Sequence, residues 1–169
     1  MSTPASVTRT AASLLRTRWL VRAPVRLYKA RLGILFGPRF VMIEHTGRKS
    51  GARRYAVLEV VGRPSPGSYL VVSGFGQRAQ WFRNIRADPR VRVYALSRPP
   101  ANGTARVLPR PEAAAALAAY VARHPRAWEA ARPVLRDTLG GPDDDIESRL
   151  PVVALELGRR EPGRREPGR

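Results

Sequence analysis

Three β-prone stretches, separated by glycine-bounded turns, fall between residues 40 and 73 and restrict the fold more than any other feature of the chain. Phe40–Thr46 is mostly apolar, and residues 54–61 are rich in valine and leucine, with Ala56, Leu58 and Val60 on one face. Residues 69–73 form the third. A tight basic turn, Gly-Arg-Lys-Ser-Gly (residues 47–51), joins the first two, and Gly-Arg-Pro-Ser-Pro-Gly (62–67) joins the second and third. Two further strands are expected at 91–96 and 104–108 across a Pro-Pro-Ala-Asn-Gly turn at 99–103, and a last one at 151–157.

Helical segments fill the gaps. A short helix is expected over 79–87, closed by Asp88-Pro89. An alanine-rich helix runs over 109–123, with Pro111 and Glu112 in its first turn, and another over 125–139, interrupted near Pro133. Residues 140–145 read as a loop. Upstream, Leu14, Val21, Val25, Tyr28, Leu32 and Leu35 recur at helical spacing. Pro24 divides that stripe, so a helix should run over 24–36 until Gly37-Pro38 stops it, with Arg22, Arg26 and Lys29 on its other face. Strands mixed with short helices, without regular βαβ alternation, favour a small antiparallel barrel with helical additions. Residues 1–23 should be a flexible or amphipathic lead-in, 24–157 the folded domain, and 158–169, a Gly-Arg-Arg-Glu-Pro repeat, a disordered tail.

The 169 residues suit one domain with a single apolar core. Net charge is +18, almost all from arginine, and residues 1–54 hold twelve basic side chains against the single acid Glu44. An anionic partner is expected there. Cysteine is absent, which excludes disulfides, iron–sulfur clusters and thiolate catalysis. No apolar run approaches the roughly 18 residues of a membrane span. Arg9, Arg16, Arg18 and Arg22 break every possible signal-peptide core, so a cytoplasmic protein is expected.

Two segments carry candidate chemistry. In the first, a turn bracketed by Gly47 and Gly51 lets backbone N–H groups face a ligand. Arg48, Lys49, Arg53 and Arg54 place four cations within seven residues, and Ser50 adds a hydroxyl. Arginine forks suit phosphate or carboxylate. A solvated hairpin tip, with charges keeping an edge soluble, is the other reading. In the second, Ser73, Gly74, Phe75 and Gly76 follow a strand and precede Gln80 and Trp81. Glycines there admit a flat ligand to the backbone, and Trp81 offers an aromatic surface; alternatively Trp81 and Ile85 are simply core. The same stretch matches Gly-x-Gly-x-x-Ala, yet its helix is too short for a dinucleotide fold, and Ser97 and Arg98 stand where that fold needs an acid. His45 and His124 lack companions at ligand spacing and read as structural. Asp143–Asp145 reads as solvated, and no nucleophile elbow or P-loop occurs.

With these segments in view, the chain resembles the actinobacterial deazaflavin-dependent nitroreductases. Their signature is Thr-Gly-Arg-Lys-Ser/Thr-Gly with an arginine opening the next strand, here Thr46 to Gly51 and Arg54. A serine- and glycine-containing loop and a Trp-aromatic-x-Asn-Leu/Ile helix follow, here Ser73 to Gly76 and Trp81 to Ile85, closed by Asp88-Pro89. The similarity spans roughly residues 24 to 157. It implies an α+β, mainly β fold: a split β-barrel like the FMN-binding proteins, with an N-terminal helix and added short helices. It also implies hydride transfer from coenzyme F420 (8-hydroxy-5-deazaflavin), with FMN as second choice, to a small-molecule acceptor: a nitro compound, quinone or enone. By resemblance Arg48, Lys49, Ser50 and Arg54 hold the phosphate and glutamate tail, with Gly51 and Arg53 in the same turn. Ser73, Gly74, Phe75, Gly76, Gln80 and Trp81 then sit by the ring. The hydride chemistry belongs to the cofactor, so the protein's work is positioning.

Two departures bear on the acceptor. Gly74 stands where well-studied relatives carry a lysine, and Arg78 is the candidate substitute. The stretch His124 to Trp128 lacks the tyrosines with which nitro-reducing relatives line the substrate side, so quinones and enones stay open alongside nitro compounds. No catalytic acid and no metal site are assigned. The rival reading is a basic binding module. Helix 24–36 could lie on an anionic membrane or pack on the barrel. Nucleic acid has no motif beyond charge and is not expected as a partner. The chain should act as a monomer or homodimer. Salt separates the rivals: binding through scattered arginines should weaken steeply as salt rises, whereas coenzyme affinity in a pocket should change much less in the same titration.

Overall fold

The computed structural model describes residues 39–95, 99–139 and 146–158. The expected helix over 24–36, the lead-in 1–23, the loop 140–145 and the tail beyond Gly158 lie outside the described residues. Six strands form a closed barrel in which every neighbouring pair is antiparallel: β1 (Phe40–Thr46), β2 (Arg53–Gly62), β3 (Ser68–Val72), β6 (Val152–Leu157), β5 (Ala101–Val107) and β4 (Arg90–Tyr94). β4 pairs back onto β1, with Val93 opposite Ile43. Closure leaves no strand edge open for pairing with another chain.

Period-two alternation sorts the strand residues into two cores. Val41, Ile43, Leu58, Val60, Val71, Val93 and Leu155 fill the barrel interior, and Phe82 and Ile85 plug it from helix α1 (Gln80–Ala87). The outer faces of β2, β3 and β6 present Val61, Leu70, Val72, Val152 and Ala154 to a second core. Helices α2 (Arg110–Arg123), α3 (Pro125–Leu139) and α4 (Ile146–Arg149) cover it with Ala113, Leu117, Tyr120, Trp128, Ile146 and Leu150. Ala113, Leu117 and Tyr120 are the buried residues of α2, spaced four and three apart, so a single stripe holds that helix down. Valine-rich segments are buried on both faces here because one side fills the barrel and the other lies under helices. No helix among the described residues is long and apolar enough to cross a membrane.

Three local expectations need correction. The turn expected at 99–103 is shorter, because Ala101, Asn102 and Gly103 already pair with Val93, Arg92 and Val91 of β4. A glycine inside that strand has a steric cause: a Cβ on Gly103 would stand 2.6 Å from the Glu156 carbonyl oxygen. Helix α3 runs unbroken through Pro133. Proline removes one helical hydrogen bond, but Trp128 before it and Leu135 and Leu139 after it belong to the same outer core, so both halves are held on one surface. The short helix α4, which buries Ile146, was not expected. Gly103→Ala should cost on the order of 1–3 kcal/mol through this backbone clash, read as a lower urea midpoint with an unchanged slope.

Candidate cofactor cleft

The basic turn closes on itself before it meets anything else. Gly47 N–H donates to Ala52 O (2.8 Å), while Ser50 and Gly51 N–H groups both donate back to Gly47 O (3.2 and 2.7 Å). Gly51 sits at φ +64°, where only glycine is relaxed. The expected cradle of backbone N–H groups is therefore not formed: the donors of Gly47, Ser50 and Gly51 are consumed inside the turn. What the turn offers outward is side chains. Lys49 and Arg54 take part in no ion pair among the described residues, and Ser50 Oγ accepts from Ala52 N–H at 3.3 Å.

The glycine loop is similarly self-contained at its ends. Ser73 is fully buried, and its Oγ donates to Gly76 O (2.8 Å) while Gly76 N–H donates to Ser73 O (2.8 Å). Gly76 has φ +58°, and a Cβ there would meet Leu139 at 2.8 Å. Gly74 and Phe75 form the exposed crest, and Phe75 is half exposed. Arg78 donates to Thr138 O at 2.6 Å, fastening the loop to the end of α3.

Helix α1 brings the two loops together. Arg48 donates twice to Asn84 Oδ1, from its backbone N–H (3.2 Å) and from Nη1 (2.9 Å), and Nη1 also reaches Gln80 Oε1 (3.0 Å). Asn84 is buried, and its Nδ2 lies 3.3 Å from Nδ1 of buried His45. Burial pushes the His45 imidazole below its ordinary range, and Arg54 adds to this against an opposing backbone contact at Thr46. Basic turn, glycine crest and α1 thus border one cleft of about 1190 Å³.

From the basic turn the cleft follows the outer face of β2, past Tyr55 and Val57 to Glu59 and Val61, and ends against Leu117, Tyr120 and Trp128. Its two ends differ in chemistry. Arg48, Lys49, Arg54, Arg78 and Arg83 line the mouth, and the one acid in the lining is Glu59, deep on β2. Glu59 Oε1 accepts from Tyr120 Oη (2.6 Å) and Arg39 Nη2 (2.7 Å), and Arg39 also donates to Tyr120 Oη (3.0 Å). Burial, then the Glu59 carboxylate, raises the Tyr120 phenol above its usual value, so it stays protonated at neutral pH.

Most residues marked from the sequence meet here. Arg48, Lys49, Ser50 and Arg54 line the mouth, and Gly74, Phe75, Gln80 and Trp81 border it from the other side. Trp81 has a double position, lining the cleft while packing on the barrel core and edge-on to Phe82, with ring centroids 5.9 Å apart. Gly51, Arg53, Ser73 and Gly76 are not in the lining. Arg53 starts the outer face of β2 but turns toward Glu44 on β1, at 3.5 Å, and the other three shape turns. Arg78 lines the cleft as the candidate substitute for the missing lysine, although one end of its fork is already engaged by α3. Sequence reading passed over Asn84 as a site residue, and Glu59 and Tyr120 altogether. Strand parity could have found Glu59: with Ala56, Leu58 and Val60 inward, Tyr55, Val57, Glu59 and Val61 must face out, and two valines there signal a covered surface.

A closed antiparallel barrel with a polyanion-sized, cation-lined cleft on its outside defines a class of ligand-binding barrels. Three solved structures are similar to this chain at low identity. One is an Agrobacterium tumefaciens protein (TM-score 0.51, 18% identity, 80% of this chain and 55% of that one). Another is a Clostridium acetobutylicum protein related to general stress protein 26, of the pyridoxinephosphate oxidase family (TM-score 0.50, 10% identity, 78% and 84%). The third is an F420-H2 dependent reductase, FDR-A (TM-score 0.49, 25% identity, 70% and 94%). The barrel is thus a split β-barrel. No curated protein matches the chain. Residues 19–133 match the family described as F420H(2)-dependent quinone reductase, and the chain belongs to that family. It is an oxidoreductase that uses coenzyme F420. Within the cleft, Tyr120→Phe removes the hydroxyl shared by Glu59 and Arg39, and should lower unfolding free energy by about 1–3 kcal/mol in a denaturant titration.

Proposed function

We propose that the cleft grips the anionic part of F420 at its basic mouth and admits a quinone-type acceptor at its apolar inner end. The observation that carries this reading is the sharing of one cleft by the two loops, one cationic and one flat and glycine-bearing, with α1 bonded to the basic turn between them. The donor set fits the coenzyme. Its phosphate and glutamate tail need several cations without competing carboxylates, and Lys49, Arg54 and the unengaged N–H groups of Arg48 supply them. Ser50 adds a hydroxyl. A planar ring needs an approach free of Cβ atoms and an aromatic edge, and Gly74, Phe75 and Trp81 provide both. When bound and reduced, the coenzyme supplies hydride; the protein supplies orientation and dryness.

The inner end supports the acceptor class. Val57, Val61, Leu117, Trp128 and Leu135 form an apolar wall that excludes water and suits a conjugated ring. Tyr120 and Glu59 are the polar groups set into that wall, and the phenol's one proton is given to Glu59 while its oxygen accepts from Arg39, so the trio bounds the ring space without a donor left over for the acceptor. FMN has a single phosphate and no acidic tail, so it would leave much of the basic mouth without a counter-charge.

Titration of the protein with F420, FMN and NADPH tests the cofactor assignment. F420 should bind best, and Arg54→Ala should weaken it by about 1.5–3 kcal/mol, the worth of a charged hydrogen bond; equal binding by both variants would take Arg54 out of the site. Gly74→Lys fits sterically, since a Cβ there would meet Leu135 at 3.5 Å, an ordinary contact. The added cation should tighten F420 binding several-fold while leaving FMN less affected.

A further inference from the structure

Arg48 is held by a chain of hydrogen bonds that allows only one polarity. Its backbone N–H and its guanidinium can only donate, and both meet the same atom, Asn84 Oδ1. That fixes which end of the amide faces the basic turn. Asn84 Nδ2 is left 3.3 Å from His45 Nδ1, and an amide nitrogen also only donates. His45 Nδ1 must therefore present a lone pair, which an imidazolium does not have. We infer that Asn84 is a positioning residue for Arg48, that it does this only while His45 is uncharged, and that the basic mouth loses its hold on anions as His45 gains a proton. The inference rests on reading the mouth as the coenzyme's anion site.

Around His45 the Thr46 backbone favours the charged ring, but the groups facing it from the neighbouring elements do not. Across the β1–β2 ladder the residue opposite is Arg54, and across the β1–β4 ladder it is Val91. From α1 the group that meets it is Asn84, behind which stands Arg48. The neighbouring acid in the chain, Glu44, alternates to the other face of β1, where it accepts from Tyr94 and approaches Arg53, and Asp88 is bound to Arg90 and to the hydroxyl of Thr46. A proton on Nδ1 would point at the Nδ2 donors. Turning the Asn84 amide over would satisfy the ring and set those donors against both donors of Arg48 instead. In either case the hold of Asn84 on Arg48 is weakened, and the exposed bond to Gln80 Oε1 is what still ties Arg48 to α1. Anion affinity should then be full above the ordinary imidazole value of about 6.5 and fall as the pH drops below it. Simple attraction between a bound anion and an imidazolium has the opposite sign, so the direction of the pH dependence separates the two.

The test uses the full chain. Without ligand, nitrogen-15 NMR of labelled histidine reads the state of His45, and the Arg48 amide reports its contact with Asn84. The expected result is an unprotonated Nδ1 at neutral pH and an Arg48 amide that shifts with the same midpoint as the His45 titration. An Arg48 amide that stays stationary while His45 takes up its proton, or a His45 already charged at neutral pH, would overturn the inference. Oxidised F420 is then titrated by fluorescence from about pH 8 to about pH 5. Wild type should lose about tenfold in affinity, one charged hydrogen bond's worth. Asn84→Asp should abolish that loss, because a carboxylate accepts from Arg48 and from an imidazolium together. A scaffold role alone would not produce this rescue. Wild-type binding that is flat or tighter in acid, or an equal loss in Asn84→Asp, would count against it. If the variant does not fold, the wild-type measurements decide. If F420 fails to bind at any pH while the Arg48 amide still tracks His45, the positioning role stands and the cofactor reading falls.

Discussion

The two hydrogen bonds that Asn84 Oδ1 accepts from Arg48 are the constraint on which the site depends. They join a hairpin tip to a helix that starts 29 residues after that tip ends, at Gln80. Without them the basic turn would be a solvated loop at the end of β1 and β2, tied toward the glycine crest by the exposed Arg48–Gln80 bond. Both partners are pinned from behind. Phe82 and Ile85 sink α1 into the barrel mouth, and the turn is locked by its own three backbone bonds. Two rigid bodies thus meet through a charge-assisted contact, part of which is buried, where such bonds are strongest.

A second division of labour follows from the barrel itself. Its interior is closed and filled with β-branched side chains, so no ligand can enter it. The cleft has to be outside, between the outer face of β2 and the helices that cover the second core. This explains why the inner end is apolar. It is the exposed margin of a hydrophobic layer that otherwise holds α2 and α3 to the barrel, and Leu117, Tyr120 and Trp128 belong to both. The inner end of the cleft and the second core are built from the same side chains. Changes of acceptor preference there will therefore trade against stability.

Tyr120, Glu59 and Arg39 illustrate the same sharing. The trio ties α2 to β2 and the start of β1, which is a structural task, and it also places the polar groups of the inner cleft. Glu59 is a lone acid in a basic cleft, and its charge is balanced within the trio. The field at the mouth is consequently left positive along its length, as a multiply charged ligand requires.

The order of the strands and of helices α1 to α3, and their approximate spans apart from β5, were legible in the residues alone. Hydrophobic period and the glycine and proline punctuation are local properties. So was the pairing of a basic turn with a glycine loop, because both are contiguous in the chain. What the sequence could not express is whatever depends on distant neighbours. Gly103 looked like a turn residue because the Glu156 carbonyl that excludes a side chain there arrives from 53 positions away. Pro133 looked like a helix break because the surface holding both halves of α3 is made elsewhere. The backbone donors of the basic turn seemed available to a ligand until their partners inside the turn were known, and Asn84, Glu59 and Tyr120 acquire a site only through barrel closure. Local chemistry decided which segments carry charge and which carry glycine; the closed sheet, by fixing which faces point outward and which helices cover them, decided that they border one cleft.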